Sequence, residues 1–198
     1  MLSALLFAIA GYLLGSLSSA ILVCRLLGKA DPRSTGSGNP GATNVLRAHG
    51  RGPAAATLAG DVAKGLLPVA LAHLLGMSPA VVALTGLGAF LGHLFPVFFE
   101  FRGGKGVATY IGVLFGLSPW LGLTFCATWL GTAFVTRYSS LAALVATVVT
   151  PLAALAGGTP GPIVFVLMLM AAAIFWRHQE NIARLRAGTE SRIGQKKD

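Results

Sequence analysis

The sequence predicts an all-α polytopic membrane protein with seven transmembrane helices, some of them short or broken. Composition, segment length and charge placement each point that way. Of its 198 residues, 55% are hydrophobic and 11% are charged, against about 25% charged in an ordinary soluble domain. Apolar stretches run over 2–24, 53–75, 79–99, 107–117, 119–136, 141–156 and 162–176. The breaks between them alternate in character: 28–52, 100–106, 137–140 and the segment after Trp176 are charged, whereas 76–78, 118–119 and 157–161 carry no charge. If all seven stretches cross, 14 of the 15 Lys and Arg residues lie on one side or at its border, Lys64 being the exception. Excess Lys and Arg marks the cytoplasmic side, so the N-terminus is expected outside and the C-terminus in the cytoplasm. A five-span version would demote two stretches and scatter this charge pattern.

The first stretch has no basic leader, and its apolar run continues past Ser18-Ser19-Ala20. It reads as a retained helix, not as a cleaved signal peptide. The first three stretches reach the roughly 20 residues that a span needs. The fifth is acceptable, and the sixth and seventh need a few residues more. The fourth is too short by itself: its rise is about 16 Å against a hydrocarbon core of about 30 Å. It can cross only if the preceding 103–106 loop lies below the membrane surface. Non-helical backbone at that depth must be buried in protein or line a wet cavity, so a sunken polar loop is expected. The 26 glycines suit close helix packing in lipid. One membrane domain over 1–190 is expected, followed by a basic cytoplasmic tail at 191–198.

Two cysteines, Cys24 and Cys126, stand far apart in apolar surroundings. Neither a disulfide nor a metal spacing is present. The net charge of +9 flanks apolar spans and forms no soluble basic patch, so no nucleic-acid partner is expected. Magnesium sites favour carboxylates, and only Glu100 and Glu180 lie near the polar segments; no metal and no cofactor are expected.

Three polar clusters fall on the predicted cytoplasmic side. In the first, Gly36, Gly38 and Gly41 let backbone N–H groups converge on an oxyanion. Ser37, Asn39, Thr43 and Asn44 add donors, Ala42 can open a helix whose N-terminus favours anions, and Arg47 follows one turn later with a planar fork for phosphate. A flexible Gly/Ser linker would not require Asn, Thr and Arg at helical offsets. The same segment satisfies G-x-G-x-x-G, with Asp61 twenty residues beyond Gly41, but no βαβ unit surrounds it and a dinucleotide fold is rejected. In the second cluster, Arg102-Gly103-Gly104-Lys105-Gly106 resembles part of a P-loop. It is not one, because Phe99 stands where the first Gly belongs and Gly106 follows the lysine. Lys105 among small residues still suits phosphate or carboxylate; the alternative is a border lysine reaching for water. In the third, His178 and Asn181 are three apart and would share a helix face, with Arg177 and Arg184 as cytoplasmic anchors. Asp61 and Lys64, also three apart, lie within the second span, where charges are costly. A mutual salt bridge that positions the clusters is expected, with His93 either a supporting donor or a satisfied core histidine.

The motifs Gly36-Ser37-Gly38-Asn39-x-Gly41-Ala42-Thr43-Asn44-x-x-Arg47, Asp61-x-x-Lys64-Gly65, Gly92-His93-x-Phe95-Pro96-Val97-Phe98, Gly103-Gly104-Lys105-Gly106-Val107-Ala108-Thr109 and Arg177-His178-x-x-Asn181-Ile182-x-Arg184-Leu185-x-x-Gly188-x-Glu190 occur in that order. Together they resemble the bacterial acyl-phosphate-dependent glycerol-3-phosphate acyltransferases over nearly the whole chain. The resemblance implies a seven-helix enzyme of the bacterial cytoplasmic (inner) membrane with its active site facing the cytoplasm. It implies transfer of an acyl chain from acyl phosphate to the sn-1 hydroxyl of glycerol 3-phosphate, giving lysophosphatidic acid and phosphate. Carried over by motif, Ser37, Gly38, Asn39, Gly41, Thr43 and Asn44 hold the acyl phosphate, and Ala42, Gly103 and Gly104 are further substrate-binding residues. Arg47, Lys105, His178 and Asn181 bind glycerol 3-phosphate and line the reaction centre.

The residues agree with that chemistry. Two anionic substrates need many donors and few carboxylates. No histidine is followed by Asp in a His-x₄-Asp pattern, which argues against thioester-using acyltransferases, and no Ser–His–Asp nucleophile is evident. Acyl phosphate is already activated, so orientation and charge stabilisation are the expected contributions. The expected proton acceptor is a substrate phosphate; His178 is the alternative base. The rival class is a membrane transporter for a phosphorylated solute, which Asp61 and Lys64 would suit. It calls for polar groups on both membrane faces and internal repeats, and the outer loops here are featureless.

Overall fold

In the bilayer core no water is available to the backbone, so an apolar segment must satisfy its own N–H and C=O groups and folds as a helix. The structure, a computed structural model describing residues 1–195, has ten α-helices and no strand among those residues. The last three positions of the expected tail lie outside the described residues. Two compact units divide the chain, one covering Met1–Leu117 and the other beginning at Ser118.

The first unit holds α1 (Leu2–Gly15), α2 (Ser19–Leu26), α3 (Ala42–His49), α4 (Arg51–Leu74), α5 (Pro79–Leu94) and α6 (Val107–Leu117), with 3-10 turns at Pro32–Ser34 and Val97–Phe99. The first apolar stretch is broken: Ser18 is extended, separating α1 from α2, although Leu2–Leu26 together remains long and apolar enough to cross. α5 stops short of the expected position 99. Pro96 disfavours helical backbone at the residue before it, and Phe95 leaves the helix with φ −131° and ψ 66°. α6 keeps its expected bounds and is too short to span alone. Its preceding loop is packed into the protein: Gly103, Gly104 and Gly106 are buried and Lys105 is half-buried.

Glycine sets the packing of this unit. A Cβ added at Gly15 would overlap the Ala89 carbonyl, and one at Gly92 the Tyr12 carbonyl. Gly11 and Gly88 stand in the same relation to Thr85 and Ala8. Small residues four apart on both α1 and α5 therefore let the two backbones touch, which is how helices gain dispersion and polar contact where lipid offers no hydrophobic drive. The α4–α6 pair repeats the device, with Gly65 against the Thr109 carbonyl and Gly112 against that of Val62. Polar pins secure both pairs: Tyr12 Oη donates to the Phe95 carbonyl at 2.7 Å, and His73 Nδ1 lies 2.9 Å from the Gly116 carbonyl.

The second unit holds α7 (Pro119–Thr136), α8 (Ser139–Ala156), α9 (Gly161–Arg177) and α10 (Gln179–Arg186). α8 begins two residues before the apolar stretch that predicted it, which lengthens it to 18 residues. α9 and α10 meet at 60° about His178. By length and apolarity, Leu2–Leu26, Arg51–Leu74, Pro79–Phe99 and Ser139–Ala156 qualify as spans, and the bent α9–α10 pair makes a fifth. The start of the tail is anchored. Ile193 donates its N–H to the Arg137 carbonyl at 2.7 Å, Arg137 Nη2 donates to the Ile193 carbonyl at 3.0 Å, and the Arg192 guanidinium lies over the Tyr138 ring.

Gly15→Ala should lower the melting temperature of the purified protein in detergent, because overpacking a tight contact costs about 1–3 kcal/mol. Gly131→Ala, placed in α7 where a Cβ meets nothing within 4 Å, should be neutral or stabilising by up to about 1 kcal/mol. Differential scanning fluorimetry on the two variants checks the contrast.

Candidate active site

The 36–44 loop is built by its glycines and by one asparagine. Gly36 and Gly38 take φ of +59° and +68°, the left-handed region where glycine carries no steric penalty. The buried Asn44 side chain accepts from the Ser37 N–H at 3.0 Å and donates to the carbonyls of Pro32 at 2.8 Å and Thr35 at 3.0 Å. These bonds commit its amide to the loop itself, so Asn44 organises the site it was expected to touch substrate from. A Cβ at Gly36 would overlap Asn44 Oδ1. α3 begins at Ala42, as expected, and sets Thr43 and Arg47 four apart on one exposed face. Ser37 is exposed, whereas Gly38, Asn39 and Gly41 are half-buried. Upstream, Asp31 caps the Pro32–Ser34 turn and pairs with Arg33 at 2.9 Å; the bond from Arg33 holds its carboxyl below the usual carboxylate range.

The 103–106 loop rests on the end of α5. Gly104 donates its N–H to the His93 carbonyl at 3.1 Å. Gly103 lies against the His93 and Leu94 carbonyls, and Gly106 against Phe90 and Leu94. The expected Asp61–Lys64 bridge is present, with Nζ 2.9 Å from Oδ1 and both side chains buried. Lys64 Nζ also donates to the Leu17 carbonyl at 2.9 Å, at the α1–α2 break. His93 Nδ1 stands 3.6 Å from the same Asp61 oxygen. The charges that would have suited a transporter thus compensate one another within this unit.

In the second unit the chemistry gathers around Glu190. Its Oε1 accepts from Ser140 Oγ at 2.7 Å and from Asn181 Nδ2 at 2.6 Å, and its Oε2 accepts from Arg184 Nε at 2.7 Å. Burial pushes the pKa of this carboxyl up, but the three donors outweigh it and hold the group below the ordinary glutamate value. Arg184, expected as a cytoplasmic anchor, is bonded to Glu190. His178 is buried at the α9–α10 break, outside regular helix, so the shared helix face with Asn181 is replaced by a bend. His178 Nδ1 lies 2.8 Å from the Ile174 carbonyl. A carbonyl only accepts, so Nδ1 carries the proton and Nε2 is the accepting nitrogen of the neutral ring. The first unit brings together Ser37, Gly38, Asn39, Gly41, Ala42, Thr43, Asn44 and Arg47 on one loop and helix, and Gly103, Gly104 and Lys105 on the other loop. Ser140 escaped the sequence reading because a serine in a helix's first turn has no distinct signal. Glu190 stood within the motif pattern, and its rarity as a carboxylate in a basic chain is the signal that could have singled it out.

A sequence model of the glycerol-3-phosphate acyltransferases matches residues 5–188. The chain belongs to that family. Among curated glycerol-3-phosphate acyltransferases it is 54% identical to the one from Thioalkalivibrio sulfidiphilus over 99% of this chain and 97% of the relative. It is 56% identical to the one from Hydrogenovibrio crunogenus over 95% and 91%. The crystal structure of PlsY, an integral membrane glycerol 3-phosphate acyltransferase in its glycerol 3-phosphate form, superposes with a TM-score of 0.92 at 43% identity, covering 97% of this chain and 96% of that one. A lysophosphatidic acid form of PlsY gives 0.90 at 42%. Membership in the glycerol-3-phosphate acyltransferase family makes this an integral membrane protein of phospholipid biosynthesis.

Glu190 makes the stability of this acyltransferase pH-dependent. A carboxyl held low in the folded state stabilises above its unfolded value, and that contribution is lost as pH falls through the folded one. On acidification from about pH 5, below the ordinary glutamate value of about 4.3, the stability difference between the wild type and Glu190→Gln should shrink. Melting curves of both proteins across that range check it.

Proposed function

We propose that this protein transfers a fatty acyl group from acyl phosphate to the sn-1 hydroxyl of glycerol 3-phosphate, releasing lysophosphatidic acid and phosphate. The observation that carries the reading is the pairing of its acids. Each of the five carboxylates among the described residues lies within ion-pair distance of a Lys or Arg: Asp31 with Arg33, Asp61 with Lys64, Glu100 with Arg102, and Glu180 and Glu190 with Arg184. Neutralised acids beside glycine loops and a surplus of cations suit two phosphorylated reactants. The names and crystal forms of the relatives support the acceptor and the product.

In this reading Ser37, Gly38, Asn39, Gly41, Thr43 and Asn44 hold the acyl phosphate, Asn44 also shaping the loop, and Ala42, Gly103 and Gly104 are further substrate-binding residues. Arg47, Lys105, His178 and Asn181 bind and orient glycerol 3-phosphate. The hydroxyl oxygen attacks the acyl carbon, the bond from that carbon to the phosphate oxygen breaks, and the proton passes to a phosphate oxygen. No side chain forms a covalent intermediate. Seven spans place the N-terminus outside and the C-terminus in the cytoplasm of the inner membrane, with the reaction on the cytoplasmic side; the one-sided distribution of Lys and Arg supports this topology.

Purified protein should form lysophosphatidic acid from glycerol 3-phosphate and acyl phosphate. Product from acyl-CoA or acyl carrier protein in place of acyl phosphate would sink the donor assignment. Lys105→Ala should raise the KM for glycerol 3-phosphate by about tenfold to a hundredfold, the worth of a hydrogen bond to a charged group; near-normal kinetics remove Lys105 from the site. In residual turnover by His178→Ala, the pH–rate profile should keep both limbs. Loss of the limb near the usual histidine value of about 6.5 would make His178 the base.

A further inference from the structure

We infer that Asp61, acting through His93, is a positioning residue for the Lys105 loop. The inference rests on the reading above in which Lys105 meets glycerol 3-phosphate. Asp61 and Lys64 are one turn apart on α4, and their mutual bridge already compensates the buried charge. Charge balance alone would not call for a third group. Yet His93, from α5, presents Nδ1 to the same Asp61 oxygen at 3.6 Å.

His93 is also the residue on which the 103–106 loop is seated. Its carbonyl accepts the Gly104 N–H at 3.1 Å. The Nε2 edge of its ring fills the space that a side chain at Gly104 would need, with Nε2 itself the nearest atom. One side of the imidazole therefore faces the carboxylate of Asp61, and the opposite side presses on the backbone beside Lys105. A ring confined between a carboxylate 3.6 Å from one edge and the Gly104 backbone at the other has little freedom to rotate, and a loop seated on that ring inherits its placement. Gly104 has to be glycine for the approach. Lys64 secures the far end of the chain of contacts by reaching both Asp61 and the Leu17 carbonyl. Four segments of the first unit are thus linked through Lys64, Asp61 and His93: the α1–α2 break, α4, the end of α5 and the 103–106 loop. Small displacements of a positioned group are felt in binding and rate.

The test uses purified full-length protein in detergent, with glycerol 3-phosphate binding measured by calorimetry and KM by turnover. His93→Asn and Asp61→Asn are the variants; asparagine at 93 keeps a donor near the Nδ1 position and removes the ring edge against Gly104. Each should weaken glycerol 3-phosphate binding by at least about fivefold, within the range over which contacting residues couple, and move the KM for acyl phosphate much less. In a Lys105→Ala background the His93→Asn effect on binding should disappear. Gel filtration and melting curves confirm that the variants fold; if Asp61→Asn leaves Lys64 stranded and unfolds the protein, His93→Asn carries the test. A His93→Asn protein with lowered melting temperature and unchanged affinity overturns the inference and leaves His93 a core histidine. An effect that persists undiminished in Lys105→Ala overturns it as well, since His93 would then act by another route. If Lys105→Ala itself binds glycerol 3-phosphate normally, both the site assignment and the inference built on it fall.

Discussion

An ammonium group buried in a transmembrane helix must be compensated where it stands, and Lys64 is compensated twice. Asp61 supplies the opposite charge, and the Leu17 carbonyl supplies an acceptor at the point where the first span is broken. The broken span and the charged helix are therefore mutually dependent. Without the break the carbonyl would be engaged by its own helix; at the break it accepts from the lysine instead. The same carboxylate reaches His93 and, through it, the loop that carries Lys105. An ion pair that would be a liability in isolation becomes the joint on which the polar part of the first unit is mounted.

Glycine does the complementary work. The contacts of Gly11 and Gly15 with α5, and of Gly65 and Gly112 across α4 and α6, bring backbones together where lipid gives no hydrophobic reason for helices to associate. Close packing then leaves room for few side chains. The polar loops sit against helix ends, as Gly103 and Gly104 do against His93 and Leu94. The short α6 and the loop before it go together: the eleven-residue helix follows backbone that is sheltered by protein.

The second unit solves the same problem with hydrogen bonds. Glu190 draws Ser140, Asn181 and Arg184 onto one carboxylate, and the chain just beyond it is fastened to Arg137 and Tyr138. The bend at His178 has a local cause, since the ring nitrogen reaches back to the Ile174 carbonyl as α9 ends. That bond selects the tautomer and so decides which face of the imidazole can accept a proton.

The membrane character, the positions of most helices and the burial of the glycine-rich loop before α6 were legible along the chain. Each depends on properties that add up locally: hydropathy over a window, charge in a break, glycine and amide content in a short segment. The order of five motifs was enough to place the chain among the glycerol-3-phosphate acyltransferases. What folding alone decided is which polar residues form scaffold. Asn44 spends its amide on its own loop, and Arg184 turns to Glu190. Ser140 reaches a partner fifty residues away, and His93 joins Asp61 to Gly104. Those choices are hydrogen bonds and close polar contacts set by how loops turn and helices pack, and no local pattern specifies which donor will find which acceptor.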